Sequence, residues 1–343
     1  IECDINIEDK LKEYDNIKSL EIWPLNNYYS NPLHYLPSAL EKLTLCLSES
    51  FTHPLDNIPN TVTYLYIYGR CKKLNINKYP DNLECLYLDG FFNQPLLNLP
   101  PNLKVLDIDG VFNQELTGLP YGLKHLTIGG NYQLPIKSLP ETIMYISIHN
   151  TSFNQPLTKE NLPPNLLELG ITGSDNFNQP LTSLPDSLQK LYIGSKRFNQ
   201  SLDWLPSGLY KLHLSCQELN YSLNNLPPNL KVFHLSTNIY DHEFNFLPQS
   251  LLYFKLNVLT RNFTELINLP NSLEVIYIGM NCIYGYRTMH DKINKKLSII
   301  IPENAKLYVE KQIKSEINII NNDIKQIEPN DIPHSVYEKY RDM

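Results

Sequence analysis

Apolar residues recur at a fixed spacing along most of the chain, and this spacing predicts a stack of short strands. In one stretch Leu103, Leu106 and Ile108 are separated by variable residues. Apolar residues at alternate positions are typical of a strand with one buried face. The same register recurs at Leu123/Leu126/Ile128, Leu188/Leu191/Ile193, Leu209/Leu212/Leu214 and Leu273/Ile276/Ile278. We therefore expect one short strand at each recurrence.

Prolines mark the period of this pattern. Twelve of them follow one another at intervals of 20 to 23 residues: Pro37, Pro59, Pro80, Pro100, Pro120, Pro140, Pro163, Pro185, Pro206, Pro227, Pro248 and Pro270. Proline lacks an N–H and forces the preceding residue into an extended conformation, so the return segments cannot be helical. A strand and a return cannot bury an apolar face alone, so the units must stack. The pattern predicts a solenoid with a single curved parallel β-sheet on the concave side, an irregular or polyproline-like convex side, and capped ends.

A second motif lies inside the repeat. Phe-Asn-Gln-Pro-Leu occurs at 92–96, 153–157 and 177–181, with variants at 112–116 and 198–202. It resembles the FNIP repeat, a subclass of leucine-rich repeat known from amoebae and the large DNA viruses that infect them. The L-P-x-x-L-x-x-L-x-I register is also similar to the repeats of bacterial leucine-rich-repeat effectors. The resemblance implies a leucine-rich-repeat solenoid that serves as an interaction or substrate-receptor module, sometimes joined to an N-terminal F-box.

The decay of the pattern at both ends predicts three regions: an N-terminal cap at 1–16, about twelve repeats at 17–280, and a C-terminal cap and tail at 281–343. Solenoids need such caps because a terminal unit has no neighbour on one side. Within the caps we expect strands at 2–7 and 297–301, a helical turn near 8–14, a helix near 304–316 whose apolar face includes Val309 and Ile317, and a mobile tail after Pro329.

The Phe and Asn of each motif are expected to form a structural ladder. Its rings would stack in the core, and its buried side-chain amides would bond the backbone of the next coil, because a turning strand leaves polar groups unpaired. The ladder comprises Phe92, Asn93, Phe112, Asn113, Phe153, Asn154, Phe177, Asn178, Phe198 and Asn199. The alternative for the Asn residues is a polar binding row.

The variable residues between the apolar ones should line the concave face, because alternate side chains of a strand point to opposite sides. Two candidate partner-binding zones stand out there. The first comprises Tyr64, Tyr66, Tyr68, Tyr87, Asp89, Asp107 and Asp109. The second comprises Lys190, Tyr192, Lys211, His213, His234, Tyr253 and Lys255. Aromatics interleaved with charge are typical of binding hot spots, although Tyr is also a common strand residue. Their opposite charge would orient an extended partner.

Composition and charge narrow the function. The net charge of −7 argues against a nucleic-acid partner, and no apolar run reaches the length of a membrane span. The six cysteines form no C-x-x-C or zinc spacing, which predicts no metal, no cofactor and reduced thiols in an intracellular compartment, the cytoplasm (of the host, if the protein is viral). No hydrolase, P-loop, dinucleotide or zinc-protease motif occurs, and Cys282 beside His290 is a poor catalytic pair.

These observations predict a non-catalytic protein–protein interaction scaffold that binds a partner on its concave face. The alternative is the substrate-recognition part of a ubiquitin ligase whose F-box or adaptor segment lies outside this chain. Cap-like sequence at both ends favours a monomer, since a bare edge strand would invite pairing.

Overall fold

The computed structural model describes residues 11–23, 29–150, 152–258, 265–279, 296–310, 317–321, 326–327 and 338–340. The chain forms two compact units. Unit 1 is Ile1–Gln155 with Glu160–Leu166, and unit 2 is Pro156–Lys159 with Leu167–Met343. Within the described residues, helical conformation is confined to 11–12 and 338–340. Each unit is a parallel β-solenoid, and the predicted leucine-rich-repeat fold class is confirmed.

Unit 1 contains one strand per repeat, and the strands pair in sequence order with parallel direction. They are β1 (Ser19–Ile22), β2 (Lys42–Leu47), β3 (Tyr64–Gly69), β4 (Cys85–Leu88), β5 (Val105–Ile108), β6 (His125–Gly130) and β7 (Tyr145–Asn150). In β3 the buried side chains Leu65 and Ile67 alternate with partly exposed tyrosines. The predicted half-buried strand is therefore present.

Unit 2 continues the same architecture and adds a second, shorter sheet. Its strands are β8 (Glu168–Ser174), β9 (Lys190–Ser195), β10 (Lys211–Ser215), β11 (Val232–Thr237), β12 (Tyr253–Val258), β13 (Glu265–Leu266), β14 (Val275–Gly279), β15 (Leu297–Ile299), β16 (Lys306–Val309), β17 (Ile317–Ile319) and β18 (Gln326–Ile327). The main ladder of this unit runs β8-β9-β10-β11-β12-β14-β16-β18, and β13-β15-β17 form the second parallel sheet.

A turn at each of the twelve repeat prolines precedes one strand, from β2 to β12 and at β14. The N–H of Leu103 donates to the carbonyl of Pro100 at 3.2 Å, and the same bond joins Leu273 to Pro270. It recurs once more after the last predicted repeat, where Ala305 N–H donates to Pro302 O at 3.0 Å and β16 follows. Proline can hold the first position of this turn because the turn uses its carbonyl as the acceptor and does not need an N–H there.

This extra turn corrects one expectation. The helix predicted near 304–316 is wrong for the described residues, because Val309 lies in β16 and Ile317 in β17. Their spacing of eight residues fits a helix face, but the Pro-x-x-apolar turn before Val309 is the stronger signal. β16 pairs with β14, so the ladder of unit 2 continues past residue 280.

The other cap expectations have mixed outcomes. The strand predicted at 297–301 is confirmed as β15. Residues 11–12 of the turn expected near 8–14 are helical, whereas residues 2–7 lie outside the described part. The boundaries at 16 and 280 stay predictions.

The motif rings stack along the core of each unit. In unit 1 the rings of Phe92 and Phe112 are 6.1 Å apart and within 1° of parallel. Tyr132 shares the slot, 6.2 Å from Phe112 and 6.4 Å from Phe153. In unit 2 Phe177 and Phe198 stack at 6.0 Å. In the sequence, only the repeat spacing indicates that Tyr132 occupies the position of the motif Phe.

The motif amides bond the next coil but are not buried. Asn93 Oδ1 accepts from the N–H of Asn113 at 2.9 Å, and Asn178 Oδ1 accepts from the N–H of Asn199 at 2.9 Å. Asn93 and Asn154 are exposed, and the other three motif Asn residues are half-buried. The expected burial is therefore wrong: the preceding Phe takes the core position, and consecutive side chains of an extended chain point to opposite sides.

Candidate functional site

The candidate residues lie on the sheet face opposite the core, which we call the open face. They form two groups, one in each unit. The acidic tyrosine patch of unit 1 comprises Tyr64, Tyr66, Tyr68, Tyr87, Asp89, Asp107 and Asp109. The lysine–histidine patch of unit 2 comprises Lys190, Tyr192, Lys211, His213, His234, Tyr253 and Lys255. In both units the strand register brings the central members side by side, as expected from the repeat.

The tyrosines of unit 1 pack against one another. Tyr66 stacks on Tyr68 at 5.2 Å between ring centroids and meets Tyr87 edge-on at 6.0 Å. Tyr64 lies 5.1 Å from Tyr87, and Trp23 lies 5.1 Å from Tyr68. All four tyrosines remain partly exposed. The patch is thus an aromatic surface whose rings are already held in place.

Three carboxylates border these rings. The hydroxyl of Tyr66 donates to Asp89 Oδ2 at 3.4 Å. Asp109 is fixed by the N–H of Gly110 at 2.7 Å, and a Cβ on Gly129 would lie 1.9 Å from Asp109 Oδ1. Gly129 therefore leaves the space that the carboxylate fills.

Asp107 lies between the other two carboxylates along the chain and is half-buried. Burial raises the pKa of Asp107, and the negative charge of Asp109 raises it further. Its charged form is thus less stable here than in water. A cation placed against this patch would relieve that cost.

In unit 2 the lysines lie over tyrosine rings. Lys211 Nζ is 5.9 Å from the ring centroid of Tyr192, and Lys255 Nζ is 4.8 Å from that of Tyr277. Lys190 Nζ is 5.7 Å from the ring of Tyr210. These are cation–π distances, so the ammonium groups are engaged within the unit.

The two histidines of this patch stack at 4.0 Å between centroids. Burial, followed by the nearby Lys255 and Lys211 charges, lowers the pKa of His213 to about 4. Burial also lowers the pKa of His234 well below its usual value, with His213 contributing. Both rings are therefore neutral near pH 7, so they add no charge to the positive zone proposed from the sequence.

The chain itself covers part of the unit 2 patch. Residues 338–340 form a helical turn, and Tyr340 is only 4% exposed. Its ring lies 5.0 Å from that of Tyr253 and packs in a cluster with Val232 and Val275. The mobile tail expected after Pro329 is therefore wrong for these three residues, because an apolar side chain near the terminus finds an apolar surface to cover.

Polar contacts hold this turn at both sides of the ring. Lys211 is 8% exposed, and its Nζ donates to the carbonyl of Tyr340 at 3.1 Å. The Tyr340 hydroxyl donates to Glu274 Oε2 at 2.5 Å, and Lys339 Nζ pairs with the same oxygen at 2.6 Å. The Lys339 contact, followed by that of Tyr340, lowers the pKa of Glu274.

Sequence reasoning missed Glu274, Val232, Val275 and Tyr340. The two valines offered a signal, because they occupy open-face positions that hold Lys190 and Lys211 in earlier repeats. An apolar residue at such a position predicts a covered surface. The identity of the cover, 65 residues beyond Val275, had no local signal.

Metal ligands and reactive thiols are the other chemical groups to consider in the described ranges. No group of three or more His, Cys, Asp or Glu residues there has the geometry of a metal site. Cys46, Cys71, Cys85 and Cys216 are free thiols, and burial raises the pKa of each. None of the helical residues that the structure describes belongs to a helix long and apolar enough to cross a membrane.

Comparison with known proteins supports the repeat assignment. The FNIP Repeat model matches residues 112–151 and 153–196, about a quarter of the chain. The resemblance to FNIP repeats is thereby confirmed over these residues. No curated protein sequence matches the chain significantly.

Two solved leucine-rich-repeat structures are similar to this one. The first is CroV588, described as a novel circular LRR protein, with a TM-score of 0.61, 24% sequence identity, and coverage of 91% of this chain and 48% of that one. The second is YopM from Yersinia enterocolitica WA-314, with a TM-score of 0.49, 20% identity, and coverage of 91% and 68%. The chain thus spans about half the length of CroV588, and the likeness to CroV588 shows the fold alone.

Proposed function

We propose that this chain is a non-catalytic protein–protein interaction scaffold that binds a protein partner through the acidic tyrosine patch of unit 1. One observation carries the proposal: Tyr64, Tyr66, Tyr68 and Tyr87 form a contiguous, partly exposed aromatic surface bordered by carboxylates. Tyrosine supplies large contact area at low entropic cost and is enriched at hot spots. The leucine-rich-repeat scaffold fold is typical of protein–protein interaction, which supports the same conclusion.

The chemistry of the patch specifies a basic partner segment. Tyrosine faces attract lysine and arginine cations, and an arginine can bond a carboxylate through two N–H groups. Asp107 gains most from such a partner, because burial and Asp109 already raise its pKa. Phosphate groups would be repelled by the same carboxylates, so the patch favours protein over nucleic acid.

The test begins with identification of the partner by proximity labelling and quantitative mass spectrometry in cells that express the chain. The wild type is compared with the double variant Tyr66→Ala/Tyr87→Ala and with Tyr121→Ala. Tyr121 is 72% exposed, lies in the same unit and is outside the patch, so it serves as the matched control. Circular dichroism checks that all three proteins fold.

We expect a labelled partner that the double variant loses and the control retains. With the purified partner, calorimetry should show a Kd raised at least about 30-fold, equivalent to about 2 kcal/mol. Equal labelling and equal affinity for the double variant and the wild type would refute the proposal. Recovery of ubiquitin-ligase adaptors together with the partner would favour a substrate-recognition role. We propose a monomer, which light scattering at micromolar concentration checks.

A further inference from the structure

The second surface on the open face is already occupied by a segment with ligand-like contacts. Lys211, Val232, Tyr253 and Val275 follow one another in register across β10, β11, β12 and β14. The ring of Tyr340 packs against the last three of these side chains. We call this surface, together with Glu274, the tyrosine slot.

The slot contacts the ring, the hydroxyl and the backbone carbonyl of a tyrosine. Its apolar floor takes the ring, Glu274 accepts the hydroxyl hydrogen at 2.5 Å, and Lys211 donates to the backbone carbonyl at 3.1 Å. A phenylalanine would leave the first polar contact unmade. This part-buried contact favours tyrosine over phenylalanine, because only tyrosine has a hydroxyl that can donate to Glu274.

The slot also selects a cation beside the ring. Lys339 Nζ lies 2.6 Å from Glu274 Oε2 and 5.0 Å from the centroid of the Tyr340 ring. The side chains of this ion pair are about half exposed, 53% for Lys339 and 45% for Glu274. An exposed pair holds its members weakly, so the segment can exchange with solvent or with a competitor.

We propose that the tyrosine slot recognises a protein segment that presents a basic residue followed by tyrosine, and that Lys339 and Tyr340 occupy it in the free chain as an intramolecular ligand. The inference rests on the proposed function, because it treats the open face as the binding face. It adds a second recognition site with a defined ligand chemistry. A partner segment with the same dipeptide displaces the turn at 338–340 and takes over its contacts with Lys211 and Glu274.

The probe is a fluorescent synthetic peptide of residues 335–343, added to the full-length chain. In the wild type the attached turn competes at the high effective concentration of an intramolecular ligand. In the Tyr340→Ala chain the slot is vacant, so fluorescence anisotropy should show at least tenfold tighter peptide binding than in the wild type. The same peptide with Tyr340→Ala should not bind.

Two further variants locate the binding and protect the test against misfolding. Adding Glu274→Gln to the Tyr340→Ala chain should weaken peptide binding at least fivefold. Glu218 is an exposed glutamate of the same unit, and adding Glu218→Gln should leave peptide binding unchanged. If Tyr340→Ala fails to fold, Lys339→Ala/Tyr340→Phe keeps the ring and removes the cation and the hydroxyl. That variant should still bind the peptide at least threefold tighter than the wild type.

Equal peptide affinity for the wild type and the Tyr340→Ala chain would refute the proposed binding role of the tyrosine slot. Peptide binding that Glu274→Gln leaves unchanged would refute it as well. An absence of binding to both foldable variants would assign Tyr340 a purely structural role and overturn it as well. In each of these cases, loss of partner labelling in Tyr66→Ala/Tyr87→Ala would leave the proposed function standing. If labelling is unaffected but the peptide binds the vacated chain, only the assignment of the partner to unit 1 fails.

Discussion

The two units use one repeat to present two different surfaces. In unit 1 the first residue of β3, β4 and β5 lies on the open face. These residues are Tyr64, Cys85 and Val105, and they are only partly buried. In unit 2 the same position holds Lys211 and Val232, which are buried under the turn that contains Tyr340. The strands, registers and proline turns are alike, so the repeat alone does not decide whether its open face meets water.

Electrostatics follows the same division. The carboxylates of unit 1 border an aromatic surface, where burial, followed by the charge of Asp109, raises the pKa of Asp107. The lysines of unit 2 are engaged with rings and a carbonyl, and both histidines are neutral near pH 7. The acidic tyrosine patch of unit 1 would be stabilised by an added cation. The lysines of unit 2 already contact groups of the same unit. From this difference we propose two modes of recognition.

A matched pair of valines gives the largest expected contrast. Val232→Asn places an amide under the Tyr340 ring, where the valine is 5% exposed, and should lower the free energy of unfolding of unit 2 by about 2 kcal/mol. Val105→Asn introduces the same amide at the equivalent half-buried position of unit 1, where water can reach it. That change should cost about 0.5 kcal/mol.

Urea unfolding of single-tryptophan variants measures both effects, because Trp23 lies in unit 1 and Trp204 in unit 2. The chain with Trp23→Phe reports unit 2, and the chain with Trp204→Phe reports unit 1. The contrast between a covered and an open face fails if the two valine substitutions cost the same.

Acidification should act in opposite directions through His213 of unit 2 and Asp107 of unit 1. The pKa of His213 is about 4 in the folded protein and 6.5 in the unfolded chain, so below pH 6.5 only the unfolded chain takes up the proton. Unit 2 should therefore lose on the order of 1.5 kcal/mol between pH 7 and pH 5. The raised pKa of Asp107 means that this group takes up a proton first in the folded chain, so its own contribution to the stability of unit 1 rises as pH falls.

The control for this prediction is His213→Gln, which removes the titrating group. Urea unfolding followed at Trp204 should then lose part of its change between pH 7 and pH 5, and His213→Gln/His234→Gln should lose most of it, because burial lowers the pKa of His234 as well. If the wild type and His213→Gln respond to acid alike, the buried neutral histidine is not the cause.

The motif asparagines offer the smallest contrast. Asn178 is half-buried and accepts from the Asn199 N–H and the Gln200 side chain, so Asn178→Ala should cost about 1 kcal/mol. Asn93 makes the equivalent bonds but is exposed, and Asn93→Ala should cost about 0.5 kcal/mol because water replaces the lost acceptor. Thermal unfolding of the two variants compares them. A larger loss for Asn93 would show that exposure does not set the cost.

Much of the fold was predictable because its signals are local and repeated. The proline period located the turns, and the alternation of Leu106 and Ile108 with variable residues located the strands and their register. The order of the members of each patch across neighbouring strands followed from that register. The helix expected near 304–316 was the main failure, because two apolar residues of different strands happened to match a helical spacing.

The sequence by itself determined the solenoid, since each strand buries the same apolar positions against identical neighbours and no other arrangement satisfies twelve repeats. It also determined which side chains lie on the open face. Only the tertiary structure decided which part of that face is available. Burial of Val232 and Val275 depends on the environment that the folded unit builds over them. That environment includes Tyr340, a residue far along the chain. Such long-range contacts have no periodic signal, because they form once and are selected by shape and polarity in three dimensions.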